Sequence, residues 1–188
     1  MKLIQKRRRR EGKTDYKARK NILKPGKARA VFRKTNRYII CQIIESIGAQ
    51  DKALVSANSK ELLKYEWPKE RSGSLKSLPA SYLSGYILGS RAVSSGINNA
   101  ILDMGLNRSI PKSRVYAFVK GAIESGLNIP CSEKMLPENN RIEGINMKKD
   151  IKAVIDRAKA KFMAEKITDK KIVDKLNDGR GERENKTH

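Results

Sequence analysis

The residues best suited to chemistry in this 188-residue sequence are cations crowded near its N-terminal end. Residues 1–40 hold sixteen Lys or Arg against two acids, Glu11 and Asp15, so they carry +14 of the formal net charge of +22. Arg binds phosphate through two parallel hydrogen bonds, and Lys binds it as a point charge. A chain this basic repels itself unless a polyanion neutralises it, and nucleic acid is the obvious polyanion. The composition therefore predicts a basic nucleic-acid-binding arm over residues 1–28.

Other interpretations of this basic segment are a membrane anchor, a secretory signal, and a solvated, disordered tail or localisation signal. An anchor needs an apolar helix face or a long apolar run beside the charge, and residues 1–28 offer neither. The Arg run leads into a polar segment where a secretory signal would need an apolar one, so we expect a cytoplasmic protein with no membrane partner. The solvated, disordered tail remains the alternative to RNA binding.

Residue types for catalysis are scarce. The only histidine is His188, which argues against His-based acid–base catalysis, a Ser-His triad and His-ligated metals. Gly121 and Gly126 have the glycine spacing of a phosphate-binding loop, GxxxxGK followed by Ser or Thr. The motif is absent there, because Leu127 and Asn128 follow Gly126 in place of Lys and Ser or Thr. The sequence thus predicts no enzyme and no cofactor.

Metal chemistry would have to use cysteines or carboxylates. Cys41 and Cys131 lie far apart and outside any paired CxxC spacing, so we expect two reduced thiols, one packed in a core strand. Metal-dependent nucleases place several carboxylates on sheet strands, whereas Asp103 is the only one within a predicted core strand. We predict that Asp103 is structural, capping a turn or pairing with a nearby Arg, and that there is no metal site. An RNA-processing nuclease that depends on Asp103 is the enzymatic alternative.

The elements that must position the arm begin with three strands. β-Branched runs predict strands over 29–34, 37–44 and 52–57, with a tight Thr35-Asn36 turn between the first two. The first strand alternates basic and apolar residues, which predicts an exposed face. The second is nearly all apolar, which predicts cover on both faces. Asn58 or Ser59 is expected to cap a short helix.

Helices with apolar stripes follow these strands. Pro79 opens the first, and its small residues Gly85 and Gly89 are expected to let it approach a sheet closely. A strand over 99–105 and a helix over 113–126 come next, with Gly126 as the C-terminal stop. Another amphipathic helix begins at Ile151. The apolar positions are Tyr82, Leu83, Tyr86, Ile87 and Val93, then Val115, Phe118, Val119, Ala122 and Ile123, then Ile151, Val154, Ile155, Ala158 and Phe162.

Strand, helix, strand, helix in this order implies a parallel crossover beside an antiparallel hairpin. We therefore predict an α/β fold with a mixed β-sheet and covering helices. The predicted divisions are a basic RNA-binding arm at 1–28, a mixed α/β domain at 29–145, a helical extension at 146–176 and a disordered tail at 177–188.

The candidate RNA-binding residues lie in the arm and at the hairpin turn. Backbone binding needs Lys and Arg in quantity, and polar or aromatic side chains that reach sugars and unstacked bases. For the turn, a solvated hairpin tip is the alternative. The candidates are Lys6, Arg7, Arg8, Arg9, Arg10, Lys13, Thr14, Tyr16, Lys17, Arg19, Lys20, Arg33, Lys34, Thr35, Asn36, Arg37 and Tyr38.

Four sequence blocks, in order, resemble a known family. They read RRRREGKTDYKARKN, RKTNRYIICQI, PASYLSGYILGSRA, and AILDMGLNRSIPKSRVYAFVKGAIESGLNIPCSEKMLPENNRIEG. They are similar to the archaeal form of the ribosomal protein L-eighteen family, which includes the eukaryotic L-five, and the likeness covers residues 6–145. Asn107 departs from the family, because close relatives often have His before Arg108.

The resemblance implies a structural protein of the large ribosomal subunit in the cytoplasm. It implies binding to 5S ribosomal RNA and to the large-subunit (23S-type) ribosomal RNA in the central protuberance, beside neighbouring large-subunit proteins, with no DNA partner. It assigns RNA contacts to the arm at 7–20 and to the KTNRY segment at 34–38. The fold it implies is similar to the ribonuclease-H-like topology without the catalytic carboxylates. A general nucleic-acid-coating protein is the second alternative.

Overall fold

The computed structural model describes residues 4–48, 50–65, 67–68, 73–143 and 151–164. Its helices are α1 (Arg7–Arg10), α2 (Tyr16–Leu23), α3 (Leu78–Ser94), α4 (Arg114–Glu124), α5 (Asn139–Ile142) and α6 (residues 151–164). Its strands are β1 (Arg29–Lys34), β2 (Ile39–Ile47), β3 (Gln50–Asn58) and β4 (Ile101–Asp103).

The four strands form one mixed sheet in the order β3-β2-β1-β4. β1 pairs antiparallel with β2, β2 pairs antiparallel with β3, and β1 pairs parallel with β4. The predicted α/β class with a mixed sheet and helices is confirmed. The capping of the 3₁₀ helix Ser59–Lys64 by Asn58 is also confirmed, since the Asn58 side chain accepts from the backbone N–H of Lys60. The likeness to the ribonuclease-H-like topology stays a prediction.

Burial of the first two strands differs from the prediction. β1 lies inside the sheet, and its first four residues, including the charged Arg29, are buried. β2 is fully buried only at alternate residues, Ile39, Cys41 and Ile43, and the residues between them are partly buried, so one face is fully covered and the other only in part. The alternation of charged and apolar residues in β1 predicted an exposed face, and this was wrong for Arg29. The position of a strand within a sheet depends on partners that are distant in sequence.

The hairpin loop is also longer than predicted. β1 ends at Lys34 and β2 begins at Ile39, so the loop comprises Thr35–Tyr38 rather than the Thr35-Asn36 pair alone. The Tyr38 carbonyl accepts one hydrogen bond from the Thr35 N–H at 2.9 Å and another from the Thr35 side-chain hydroxyl at 2.7 Å. These bonds draw Tyr38 into the loop, which explains the later start of β2.

α3 and α4 pack together through glycines. A Cβ on Gly85 would lie 2.1 Å from the Phe118 carbonyl oxygen, and one on Gly121 would lie 2.1 Å from the Tyr82 carbonyl oxygen. Gly85 therefore admits a neighbouring helix and not the expected sheet. The predicted end of α4 is confirmed, with Gly126 just beyond it at φ +102°. Ile123, which was expected in the apolar stripe of α4, is instead 39% exposed.

α6 packs its predicted apolar side onto the domain, with Ile151, Ile155, Ala158 and Phe162 buried. The Phe162 ring meets the Tyr65 ring edge-on, with centroids 5.7 Å apart. The rest of the predicted 146–176 extension, and the predicted tail at 177–188, lie outside the described residues. None of the helices in the described ranges is long and apolar enough to cross a membrane.

Candidate nucleic-acid interface

Asp103, at the end of β4, is held by two arginines of β1. Its Oδ2 lies 2.8 Å from Arg29 Nη1, and its Oδ1 lies 3.2 Å from Arg33 Nη2. The same Oδ1 accepts from the Gly105 N–H at 2.8 Å. Asp103 thus pairs with arginine and also stabilises the turn after β4, so both predicted structural roles are confirmed. In the described parts of the chain, no group of three or more His, Cys, Asp or Glu residues could hold a metal ion.

Arg29 is buried between two carboxylates. Besides Asp103, its guanidinium contacts Asp51 of β3 at 2.9 Å and donates to the Ser46 hydroxyl at 2.9 Å. A buried charge of this kind is tolerated because it is paired and hydrogen-bonded. Arg29 is therefore part of the sheet, whereas the alternating pattern of β1 had suggested an exposed cation.

Asp51 also connects the sheet to the arm. Arg19 of α2 contacts Asp51 Oδ2 at 2.7 Å, while Ser46 donates to Asp51 Oδ1 at 2.7 Å. Partial burial on its own would raise the pKa of Asp51. The hydrogen bonds from Ser46 and Arg19 and the charges of Arg29 and Arg19 outweigh it and lower the pKa below its usual value. Asp51 therefore stays ionised and bridges a surface arginine of the arm to a buried arginine of the sheet.

Within the arm, short polar contacts define the local shape. Asp15 caps α2 by accepting from the Lys17 and Ala18 N–H groups at 3.0 and 3.1 Å. Arg8 Nε donates to the Thr14 hydroxyl at 2.9 Å, and Lys6 Nζ lies 4.7 Å from the Tyr16 ring centroid. α1 and α2 contain no buried residue, so their cations face solvent or the surface of the domain.

Arm and sheet enclose a groove of about 330 Å³, which we call the arm groove. Cations line both of its sides, with Arg8, Lys13 and Arg19 from the arm and Arg33 and Lys34 from β1. Two acids, Asp15 and Asp103, also line it, and Asp103 is already neutralised by its arginines. The remaining lining includes Thr14, Ala18, Ile22, Gly105, Leu106 and Asn107. A cleft with this excess of positive charge concentrates an anionic ligand.

The hairpin turn contributes fewer free groups than its sequence suggested. The Thr35 hydroxyl is bonded to the Tyr38 backbone, and the Tyr38 ring lies under Lys60 Nζ at 4.2 Å from the centroid. Exposed side chains remain at Lys34, Asn36 and Arg37. Thr35 and Tyr38 therefore shape the turn, and the other three extend from it.

The structure brings six of the predicted site residues together at the arm groove. These are Arg8, Lys13, Thr14, Arg19, Arg33 and Lys34. The other predicted site residues do not line it: Lys6, Arg7, Arg9, Arg10, Tyr16, Lys17, Lys20, Thr35, Asn36, Arg37 and Tyr38. Sequence reasoning missed Asp51, Asn107 and Lys60. For Asp51 no sequence signal was available, because its arm partner lies 32 residues away along the chain.

Both cysteines are free thiols, and Cys41 lies within β2 as expected for a core residue. Burial raises the pKa of both the Cys41 and the Cys131 thiol. Both thiols therefore stay protonated at neutral pH and behave as weak nucleophiles.

Comparisons with known proteins agree with the four sequence blocks. A family model described as "Ribosomal large subunit proteins 60S L5, and 50S L18" matches residues 3–97. Large ribosomal subunit protein uL18 of Methanospirillum hungatei is 49% identical over 138 residues, which cover 73% of this chain and 77% of that protein. The uL18 of Methanothermobacter thermautotrophicus is 47% identical over 138 residues, covering 73% and 70%. The uL18 of Korarchaeum cryptofilum is 49% identical over 138 residues, covering 73% and 69%. The resemblance is thereby confirmed, and the chain belongs to the family of large-subunit ribosomal proteins that includes 60S L5 and 50S L18.

Proposed function

We propose that this protein binds 5S ribosomal RNA and attaches it to the large-subunit (23S-type) ribosomal RNA in the central protuberance of the cytoplasmic ribosome. Neighbouring large-subunit proteins complete its surroundings there. The observation that carries the proposal is the arm groove, where cations from α1, α2 and β1 converge although they are distant in sequence. Family membership supports the large subunit as the setting.

The arm neutralises phosphates, and the folded domain fixes the direction from which it does so. Arg8 and Lys13 are suited to the RNA backbone inside the groove, while the other three arginines of α1 contact phosphates outside it. Lys34 and Arg37 extend this surface to the hairpin turn. The full proposed contact set is the seventeen residues identified from the sequence, with residues 1–28 acting as the RNA-binding arm.

Pre-organisation distinguishes this arm from a loose basic tail. Arg19 is anchored to Asp51, which also contacts the buried Arg29, so α2 is tied to the sheet through three charged groups. An arm that is already positioned loses less conformational entropy on binding than a free one. RNA shape is therefore recognised by a surface of defined geometry.

The salt dependence of binding tests the role of the arm. If about six phosphates are neutralised, log K should fall against log salt with a slope of about −4 to −5. Deleting residues 1–20 should flatten this slope and weaken binding to 5S ribosomal RNA far more than deleting residues 177–188. An affinity that does not depend on salt, or equal effects of the two deletions, would contradict the proposal.

The two alternatives from the sequence make different predictions. A nuclease predicts magnesium-dependent RNA cleavage that Asp103→Asn abolishes, but both oxygens of the Asp103 carboxylate are occupied by arginines. A general coating protein predicts equal affinity for duplex DNA, single strands and folded RNA at one salt concentration. The anchored arm opposes this second alternative, because charge neutralisation alone needs no fixed geometry.

A further inference from the structure

A second groove, of about 460 Å³, opens beside the arm groove and lies mostly outside the predicted RNA-binding residues. Lys34 and Asn107 line both grooves, so the two are neighbours on one surface. Most of the rest of the second groove is built from the loop before α4, the start of α4 and α5, with Phe32 of β1 and Leu78 of α3 completing the lining. A strand of RNA in the arm groove would therefore reach the second groove at these two residues.

The rim of the second groove is rich in arginine. Arg108, Arg114 and Arg141 line it and are exposed, and within the described ranges their side chains make no hydrogen bond or ion pair. The nearby acid Glu138 is paired with Lys112. The hydrogen bond and charge of that lysine, with smaller effects from the charges of Arg141 and Lys120, lower the pKa of Glu138. Three exposed guanidinium groups can therefore bind anions, and the planar guanidinium group can form two parallel hydrogen bonds to a phosphate.

Between these cations lies an apolar surface. Ile110 is 55% exposed, and Leu78 and Pro111 line the groove beside it. Unpaired RNA offers charged phosphates and apolar base faces together, whereas a duplex hides its bases in the stack. An acidic protein segment would match the charge as well, but continuity with the arm groove favours RNA.

The groove is held open by internal contacts and needs no ligand to form. The Lys112 N–H donates to the Met135 carbonyl at 2.8 Å, and Lys112 adopts a positive φ of 57° that non-glycine residues rarely take. Ser109 and Tyr116 hydroxyls lie 2.6 Å apart, which ties the loop to α4. Lys120 Nζ donates to the Pro137 carbonyl at 2.8 Å and so fixes the chain that leads to α5.

We propose that the second groove holds an unpaired segment of the same RNA that the arm binds, with phosphates on Arg108, Arg114 and Arg141 and a base on Ile110. This site rests on the proposed RNA-binding function and extends it. The strand continues from the arm groove past Lys34 and Asn107, so the two grooves together bind one longer segment.

The first test removes the three rim charges. A variant with Arg108→Gln, Arg114→Gln and Arg141→Gln is compared with a control carrying Lys64→Gln, Lys152→Gln and Arg157→Gln, which loses the same charge away from both grooves. Binding to 5S ribosomal RNA transcript is measured across a salt series, with circular dichroism melting to confirm that both variants fold. The slope of log K against log salt should flatten by about 2 to 3 for the rim variant, since each phosphate contact contributes about 0.7 to 0.9. The control should change it by less than about 1.

An arm variant separates failure of this inference from failure of the proposed function. If Arg7→Gln, Arg8→Gln and Lys13→Gln weaken binding while the rim variant behaves like the control, the second groove is not an RNA site and the proposed function stands. If neither variant weakens binding, both ideas fail.

A cross-link identifies the occupant directly. A benzophenone amino acid placed at position 110 should cross-link to ribosomal RNA when the protein is assembled into the large subunit. Cross-linking to a neighbouring protein at that position would overturn the proposal, because it would show a protein segment in the groove.

Discussion

Asp103→Asn should destabilise the fold markedly, although it exchanges only one non-hydrogen atom. Asp103 and Arg29 are 8% and 3% exposed at their side chains, so their pair is shielded from water. Removing one partner of a buried pair costs about 3–5 kcal/mol, because the other charge remains buried. Arg29 keeps Asp51 at 2.9 Å, and Asn can still accept from the Gly105 N–H. We therefore expect a loss at the lower end, about 3 kcal/mol.

Urea unfolding followed by circular dichroism measures this loss. With a denaturant slope of about 2 kcal/mol per molar, the midpoint should fall by about 1.5 M. Glu143→Gln serves as the control, because it breaks the surface contact between Glu143 and Lys152 at 3.6 Å. Its midpoint should fall by at most about 0.5 M. An unchanged midpoint for Asp103→Asn would refute the structural role of this carboxylate.

Asp51→Asn should weaken RNA binding even though it removes a negative charge. Electrostatics alone predicts tighter binding, so the sign of the change in affinity, measured by fluorescence anisotropy, decides whether Asp51 positions the arm. Because folding lowers the pKa of Asp51, its stabilising effect is fully present above the ordinary value of 3.8 and is lost as pH falls through the lowered value. Hydrogen-exchange protection of α2 in the wild type should therefore fall in that acidic range. At neutral pH the protection of α2 should be lower in Asp51→Asn than in the wild type, and equal protection in the two proteins would contradict the anchoring. Gly121→Ala should lower the free energy of unfolding by about 1–3 kcal/mol, measured by thermal unfolding, because the new Cβ would lie 2.1 Å from the Tyr82 carbonyl oxygen. Gly73→Ala, with nothing within 4 Å, is the matched control, and equal melting temperatures for the two variants would refute the close helix contact.

Local patterns predicted the elements well where one periodicity dominated. The apolar stripe of Val115, Phe118, Val119 and Ala122 indicated α4, and Gly126 marked its end. Both signals for α4 are local, since they depend on residues within a few helical turns of each other. The density of Arg and Lys predicts a polyanion-binding arm, which stays a prediction.

The sequence patterns did not predict features that depend on contacts between residues far apart in the chain. Arg29 was expected on an exposed face, yet it is buried because Asp51 and Asp103 meet it from two other strands. The second groove was missed for a similar reason. Its arginines, Arg108, Arg114 and Arg141, occur singly along the chain and are brought together only by the packing of α4 and α5.

The central claim is a dedicated RNA-binding surface, and competition binding tests it most directly. Purified protein is bound to 5S ribosomal RNA in the presence of a size-matched folded RNA at about 0.15 M salt, where non-specific contacts are weakened. A preference for 5S ribosomal RNA of two or more orders of magnitude is the predicted result. Equal affinity for the two RNAs would contradict the account and leave only a basic domain that coats RNA.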